Sequence, residues 1–129
     1  MVEVIRDFRD LVVWQKAVNL AEEVYGRTRC FPADERFGLT SQIRRAVISV
    51  SSNIAEGHAR QGKEFSHFLS IARGSLAEVE SQLLVAVHLG FLAATEISSA
   101  QRLIGEIRRM LSSLRTKIVA RNSVSDPDR

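Results

Sequence analysis

Arginine gives this chain most of the chemistry it has to offer. Its 129 residues hold 18 basic side chains against 15 acidic ones, a formal net charge of +3. Fifteen of those 18 are Arg and three are Lys. A guanidinium is a planar fork of donors that suits carboxylates and phosphates alike. Its charges are unevenly placed. Residues 27–45 carry five basic groups against two acidic, net +3, and residues 91–121 carry six against two, net +4. Residues 1–26 and 63–90 come to −2 and −1. Arg27, Arg29, Arg44 and Arg45 make one basic zone, and Arg102, Arg108, Arg109, Arg115, Lys117 and Arg121 the other. A phosphate-binding surface needs such clusters, because each contact releases condensed counterions. The competing reading is a solvated helix face paired with Glu22, Glu23, Glu78 or Glu80. For Arg44 and Arg45 it is an ion pair between subunits, with a carboxylate such as Glu56. Neither zone is interleaved with exposed aromatics, which leaves base stacking on a single strand with little support. Arg44, Arg45, Arg60, Lys63, Arg108 and Arg109 are the candidate nucleic-acid contacts.

Other reactive groups are sparse. Glu64-Phe-Ser-His67 has the Glu-x-x-His spacing of a di-iron carboxylate bundle, but such a site needs a second pair. His88 has no glutamate three residues before it, and His58 follows Ala55. A single pair at a helix start reads as a solvated end, so no metal and no cofactor are expected. Cys30 is the only cysteine, which rules out an intrachain disulfide and fits a reducing compartment. It reads as an inert thiol in a helix-end loop. The chain contains no His-Glu-x-x-His, Cys-x-x-Cys, Gly-x-Ser-x-Gly or P-loop sequence, and no serine is matched with a histidine and carboxylate. No catalytic residue is expected, and the chain is expected not to be an enzyme.

Helices must position the arginines. With 45% hydrophobic residues, seven glycines and two prolines, the chain has core material but few turns, which disfavours an all-β fold. Its length suits one domain that needs no disulfide or metal. Residues 39–57 organise the rest. Leu39, Ile43, Ala46, Val50 and Ile54 recur at steps of four, three, four and four, one face of a helix. Arg45, Ser49, Ser52 and Glu56 run down another face, and the density of serine and alanine invites close approach by a second helix. Ser49, Ser52, Asn53, Glu56 and Gly57 are the candidate subunit interface.

A first helix is expected over 11–29, with Val13, Ala17, Leu20 and Val24 as its stripe and Trp14 within a broadened apolar arc. Phe31-Pro32 ends it. A third helix is expected over 63–89, from the heptad Phe65, Leu69, Ala72, Leu76, Val79, Leu83, Ala86, with Gly74 permitting close contact and Gly90 as C-cap. Thr95 is expected to cap a fourth, carrying Ile97, Ala100, Ile104, Ile107, Leu111, Leu114 and Ile118. Short connections between four helices imply an all-α, antiparallel up-down-up-down four-helix bundle. The bundle is expected over 11–120, between an N-terminal arm at 1–10, where Ile5 and Phe8 tuck against the body, and a frayed tail at 121–129. No apolar run reaches membrane-spanning length, and the N-terminus lacks signal-peptide character. A soluble, cytoplasmic protein with no membrane partner is expected.

Several segments resemble a known family. They are Phe8-Arg-Asp-Leu-Val-Val-Trp-Gln-Lys-Ala17, Phe31-Pro32, Glu35-Arg-Phe-Gly-Leu-Thr-Ser-Gln-Ile-Arg-Arg-Ala46, Ser52-Asn-Ile-Ala-Glu-Gly57, and Phe68-Leu-x-Ile-Ala-Arg-Gly-Ser-Leu-x-Glu78. Together they resemble the bacterial four-helix bundle proteins named after intervening sequences of 23S ribosomal RNA genes. The chain is also similar to the bundle accessory protein of diversity-generating retroelements, a basic pentamer that works with a reverse transcriptase and nucleic acid. The resemblance implies a small antiparallel bundle assembling as a homopentameric ring, with no catalytic residues to carry over. The expected function is a non-enzymatic, ring-forming bundle that binds nucleic acid, RNA before DNA, through its arginines. The alternative is a structural or adaptor oligomer that recruits a protein partner without nucleic acid.

Overall fold

Four rows of apolar side chains, one from each helix, meet in a single interior. The computed structural model describes residues 4–124, so residues 1–3 of the expected arm and 125–129 of the expected tail lie outside it. Helix α1 is Val12–Thr28, α2 Leu39–Arg60, α3 Gly62–His88 and α4 Ser98–Val124. Short 3-10 turns at Phe8–Asp10, Ala33–Glu35 and Ala94–Ile97 lead into α1, α2 and α4. Each helix packs on its neighbours in the chain, and α4 closes the ring against α1. The result is the up-down-up-down bundle that the heptad rows imply.

The buried positions are those rows. Val13, Ala17, Leu20 and Val24 come from α1, and Ile43, Ala46, Val47, Val50 and Ile54 from α2. Phe65, Leu69, Ala72, Leu76, Val79, Leu83 and Ala86 come from α3; Ala100, Ile104, Ile107, Leu111 and Ile118 come from α4. Spacings of three and four keep each row on one side of its helix, so a single hydrophobic driving force orients all four. Trp14 packs half-buried against this core and meets Phe8 edge-to-face at 5.1 Å, so it is a packing residue and not a platform for a base. Phe8 thus ties the arm down, whereas Ile5 stays in solvent.

The connections are made by local chemistry. After α1, Phe31 turns into the core and lies 5.5 Å from Phe91, clasping the end where the α1–α2 and α3–α4 connections meet. The Glu35 carboxylate accepts the Leu39 N–H at 2.9 Å and so caps α2, where negative charge suits the helix dipole. Helix α2 runs three residues past its expected end near Gly57, to Arg60. The reversal is compressed into Gln61 and Gly62, whose φ angles are 59° and 60°. Such angles suit glycine, so Gln61 is strained there. Gly90, at φ 79°, ends α3 as expected: its N–H reaches Val87 O and that of Phe91 reaches Ala86 O, the paired bonds of a Schellman motif.

Three expectations are corrected by packing. Thr95 lies inside a 3-10 turn and caps nothing; the Glu96 carboxylate instead accepts the Ala93 N–H at 2.8 Å. Helix α4 passes the expected bundle end at residue 120 and continues to Val124. Gly74 permits no close approach, since a Cβ built on it meets nothing within 4 Å. The close approach is at Gly57, where a Cβ would lie 2.9 Å from Phe68 Cβ and 3.2 Å from the Phe65 carbonyl oxygen.

Candidate nucleic-acid interface

Arg44 and Arg45 are consecutive on α2, and one helical step separates their surroundings. Arg44 leans towards α1. Its Nε donates to Thr28 Oγ1 at 2.9 Å, and its guanidinium carbon lies 4.6 Å from the Tyr25 ring centroid. Thr28 is buried and donates its own hydroxyl proton to Val24 O at 2.8 Å, which leaves lone pairs free to accept from Arg44. A neutral hydroxyl and a ring therefore orient this guanidinium without cancelling its charge, and its terminal nitrogens remain available. Arg45 is exposed and has no ion pair within 4.0 Å among the described residues.

The connection before α2 adds to this zone. Phe37 is 88% exposed, the most exposed large apolar side chain described, and the Arg36 guanidinium lies over its ring at 5.4 Å. Tyr25, Arg36, Phe37, Arg44 and Arg45 line a groove of about 600 Å³ with Ile48, and Thr40, Ser41, Ser49 and Ser52 complete its wall. Arg29 lies on the adjoining surface with Tyr25 and Ile48, in a depression that Glu22 also lines. Aromatics are thus interleaved with this basic zone after all. Tyr25 comes from α1 and Phe37 from a loop, so their proximity to Arg44 and Arg45 is tertiary. The one local signal was the Arg36-Phe37 pair in a turn, an arginine next to a large aromatic where no helical row calls for one.

The other candidate contacts sit elsewhere, and two of the four, Arg60 and Arg108, are paired with glutamates. Arg60 pairs with Glu56 at 3.0 Å and Glu64 at 3.3 Å and lies over the Phe68 ring at 5.1 Å. The hydrogen bonds it donates to Glu56 and then to Glu64 hold its pKa above the usual arginine value. Glu64 of the Glu64–His67 spacing is thus the partner of Arg60. No group of three His, Cys, Asp or Glu poised for a metal occurs among the described residues. Arg108 pairs with Glu80 across α3 and α4 at 2.8 Å. Lys63 and Arg109 are exposed with no ion pair among the described residues, Lys63 in the first turn of α3 and Arg109 on α4. Arg44 and Arg60 are 16 residues apart on α2, a separation of roughly 24 Å at 1.5 Å per residue. The six candidates therefore do not share one surface; Arg44 and Arg45 line one groove with Arg36, which was not singled out, and Arg29, named in the same basic zone but not among the candidate contacts, lies on the adjoining surface.

The small-residue face also divides. Ser49 Oγ lies 2.8 Å from Ser75 Oγ, and Asn53 Nδ2 donates to Ser49 O and Oγ at 2.8 and 2.9 Å. With Gly57 closed in by Phe65 and Phe68, Ser49, Asn53 and Gly57 serve the seam between α2 and α3 within one chain, which corrects the place expected for Gly57 on a subunit interface. Ser52 and Glu56 point outward, Ser52 into the basic groove and Glu56 to Arg60.

Residues 9–113 match the family model described as 23S rRNA-intervening sequence protein. A solved structure with the same fold is a crystal structure from Bacteroides thetaiotaomicron, described as a protein of unknown function from the S23 ribosomal protein family. It aligns with a TM-score of 0.73 and 24% identity over 81% of this chain and 98% of that one, and at that identity the likeness speaks for the fold. No curated protein matches the chain. No helix of the described residues is long and apolar enough to cross a membrane.

Proposed function

The chain belongs to the 23S rRNA-intervening sequence protein family, and on that premise we propose that it is a non-enzymatic, cytoplasmic helical bundle that binds RNA and works as a homo-oligomeric ring. One observation carries the RNA reading: Arg36, Arg44 and Arg45 line one groove whose lining holds no carboxylate, with Glu22 and Glu78 on the adjoining depressions beside Arg29 and Arg45 but in no ion pair with them. Arg29, Arg36 and Arg45 have no ion pair among the described residues, and Arg44 is held by a hydroxyl and a ring. Arg60 and Arg108, by contrast, are answered by glutamates. Clustered unpaired cations repel one another, so the protein alone gains nothing from this arrangement, and a polyphosphate backbone relieves it. Ring assembly is supported by aliphatic side chains that α3 and its C-cap leave exposed, Ile71, Leu84, Val85 and Leu89. A homopentamer is the size that the family resemblance implies. Repeating a weak phosphate site around a ring raises its avidity without any new contact.

The test is size-exclusion chromatography with light scattering on protein from a low-salt lysis, with absorbance recorded at 260 and 280 nm. The expected result is an oligomer carrying excess absorbance at 260 nm that ribonuclease or high salt removes. An oligomer free of nucleic acid, with no affinity for added RNA at low salt, refutes the RNA reading and leaves the adaptor role.

A further inference from the structure

Phe37 is expensive to leave in water. Burying a phenylalanine ring is among the larger hydrophobic gains a single side chain offers, and this ring is 88% exposed within the described structure. It lines the groove that holds Arg44 and Arg45, with the Arg36 guanidinium over its ring and, among the described residues, no aromatic ring stacked on it. We infer that Phe37 is a stacking platform for an unpaired base and that the groove takes a single-stranded RNA segment in preference to a duplex. This deepens the RNA-binding reading and rests on it.

Three observations converge. First, an aromatic face among unpaired arginines is the combination by which single strands are held: cations follow the backbone and rings accept bases. Second, the surrounding groups are preorganised. Thr28 and Tyr25 hold Arg44 from below, so its terminal N–H groups are presented to the groove without a search through rotamers. Third, Thr40 and Ser41 line the groove between the ring and the arginines and Ser52 lines it beyond them, and their hydroxyls both donate and accept and so suit base edges and ribose hydroxyls. A duplex keeps its bases stacked on each other and offers Phe37 only backbone and groove edges. It therefore satisfies the arginines but not the ring.

The experiment is fluorescence anisotropy at low salt with a fluorescein-labelled 12-nucleotide RNA, as a single strand and as a duplex with its complement. Full-length protein is used as wild type, Phe37→Ala and Phe37→Trp, with the oligomeric mass of each checked by light scattering. Because the side chain is exposed, neither substitution disturbs the core. Phe37→Ala is expected to weaken single-strand binding by roughly 5- to 150-fold, the range for losing one base–aromatic stack, and to leave duplex binding unchanged. Phe37→Trp is expected to retain affinity and to show indole quenching on adding the single strand, beyond any change from Trp14. Unchanged single-strand affinity in Phe37→Ala overturns the stacking inference while leaving the phosphate reading intact. A Phe37→Ala variant that changes oligomeric mass but not affinity also overturns it and assigns the ring to a contact between copies. Wild-type protein that binds neither probe removes the RNA reading beneath it.

Discussion

Two glycines inside helices are predicted to respond to alanine with opposite signs. In a helix interior, alanine is favoured over glycine by about 0.8–1 kcal/mol. At Gly74 a Cβ meets nothing within 4 Å, so Gly74→Ala keeps that whole gain. For a chain of this size it corresponds to a melting-temperature rise of roughly 3–5 °C. At Gly57 the same Cβ would stand 2.9 Å from Phe68 Cβ, 3.1 Å from Phe65 Cδ1 and 3.2 Å from Phe65 O. Two of those three atoms are fixed to the α3 backbone and cannot rotate away. The helices must separate by several tenths of an ångström, and overpacking of this kind costs about 1–3 kcal/mol. The propensity gain is common to both variants. The difference between them therefore isolates the packing cost, and Gly57→Ala should be less stable than Gly74→Ala by about 1–3 kcal/mol. Urea unfolding followed by circular dichroism at 222 nm, at one fixed protein concentration because self-association shifts apparent stability, measures both. If Gly57→Ala is stabilised as much as Gly74→Ala, the close contact of α2 with α3 at this position is wrong.

Two further outcomes are expected. If Arg36, Arg44 and Arg45 each hold one phosphate of a single strand, log K should fall against log salt with a slope of about −2, a loss of roughly 20-fold between 50 and 200 mM. Arg45→Gln should reduce that slope by about 0.7 and Arg108→Gln should leave it unchanged, since Glu80 already answers Arg108; equal effects in anisotropy titrations would contradict the placement of the site. The Asp7 carboxyl, which accepts from the Arg9 side chain and backbone N–H, is held at about 2 against a usual 3.8. Its folded pKa lies below the unfolded one, so the turn at Phe8–Asp10 should keep this support above pH 4 and lose it as pH falls through 2. Carboxyl-carbon NMR titration should place the Asp7 midpoint near 2, and Arg9→Gln should raise it; a wild-type midpoint near 3.8 would show that the pair does not form in solution.

The fold was legible in the order of residues because helix periodicity is local. Leu69, Ala72, Leu76, Val79, Leu83 and Ala86 declare one face of α3 without reference to any other segment, and the same holds for Ala100 through Ile118 on α4. Four such rows with short connections leave little choice but an antiparallel bundle. Helix ends were less legible: Thr95 has the right chemistry for a cap, yet Glu96 does the work from inside a turn.

The candidate site depended on partners distant in sequence. For Arg108 and Arg44 the partner comes from another helix: Glu80 for Arg108, 28 residues away, and Thr28 for Arg44, 16 residues away. Sequence alone determined that arginines are plentiful, that they fall in two zones, and that helices carry them. Only the tertiary structure decided which remain unpaired, that Tyr25 and Phe37 stand among them, and that Gly57 rather than Gly74 lets two helices touch. The physical reason is that burial follows a local period, whereas electrostatic pairing and steric contact act between surfaces that meet only when the chain has folded.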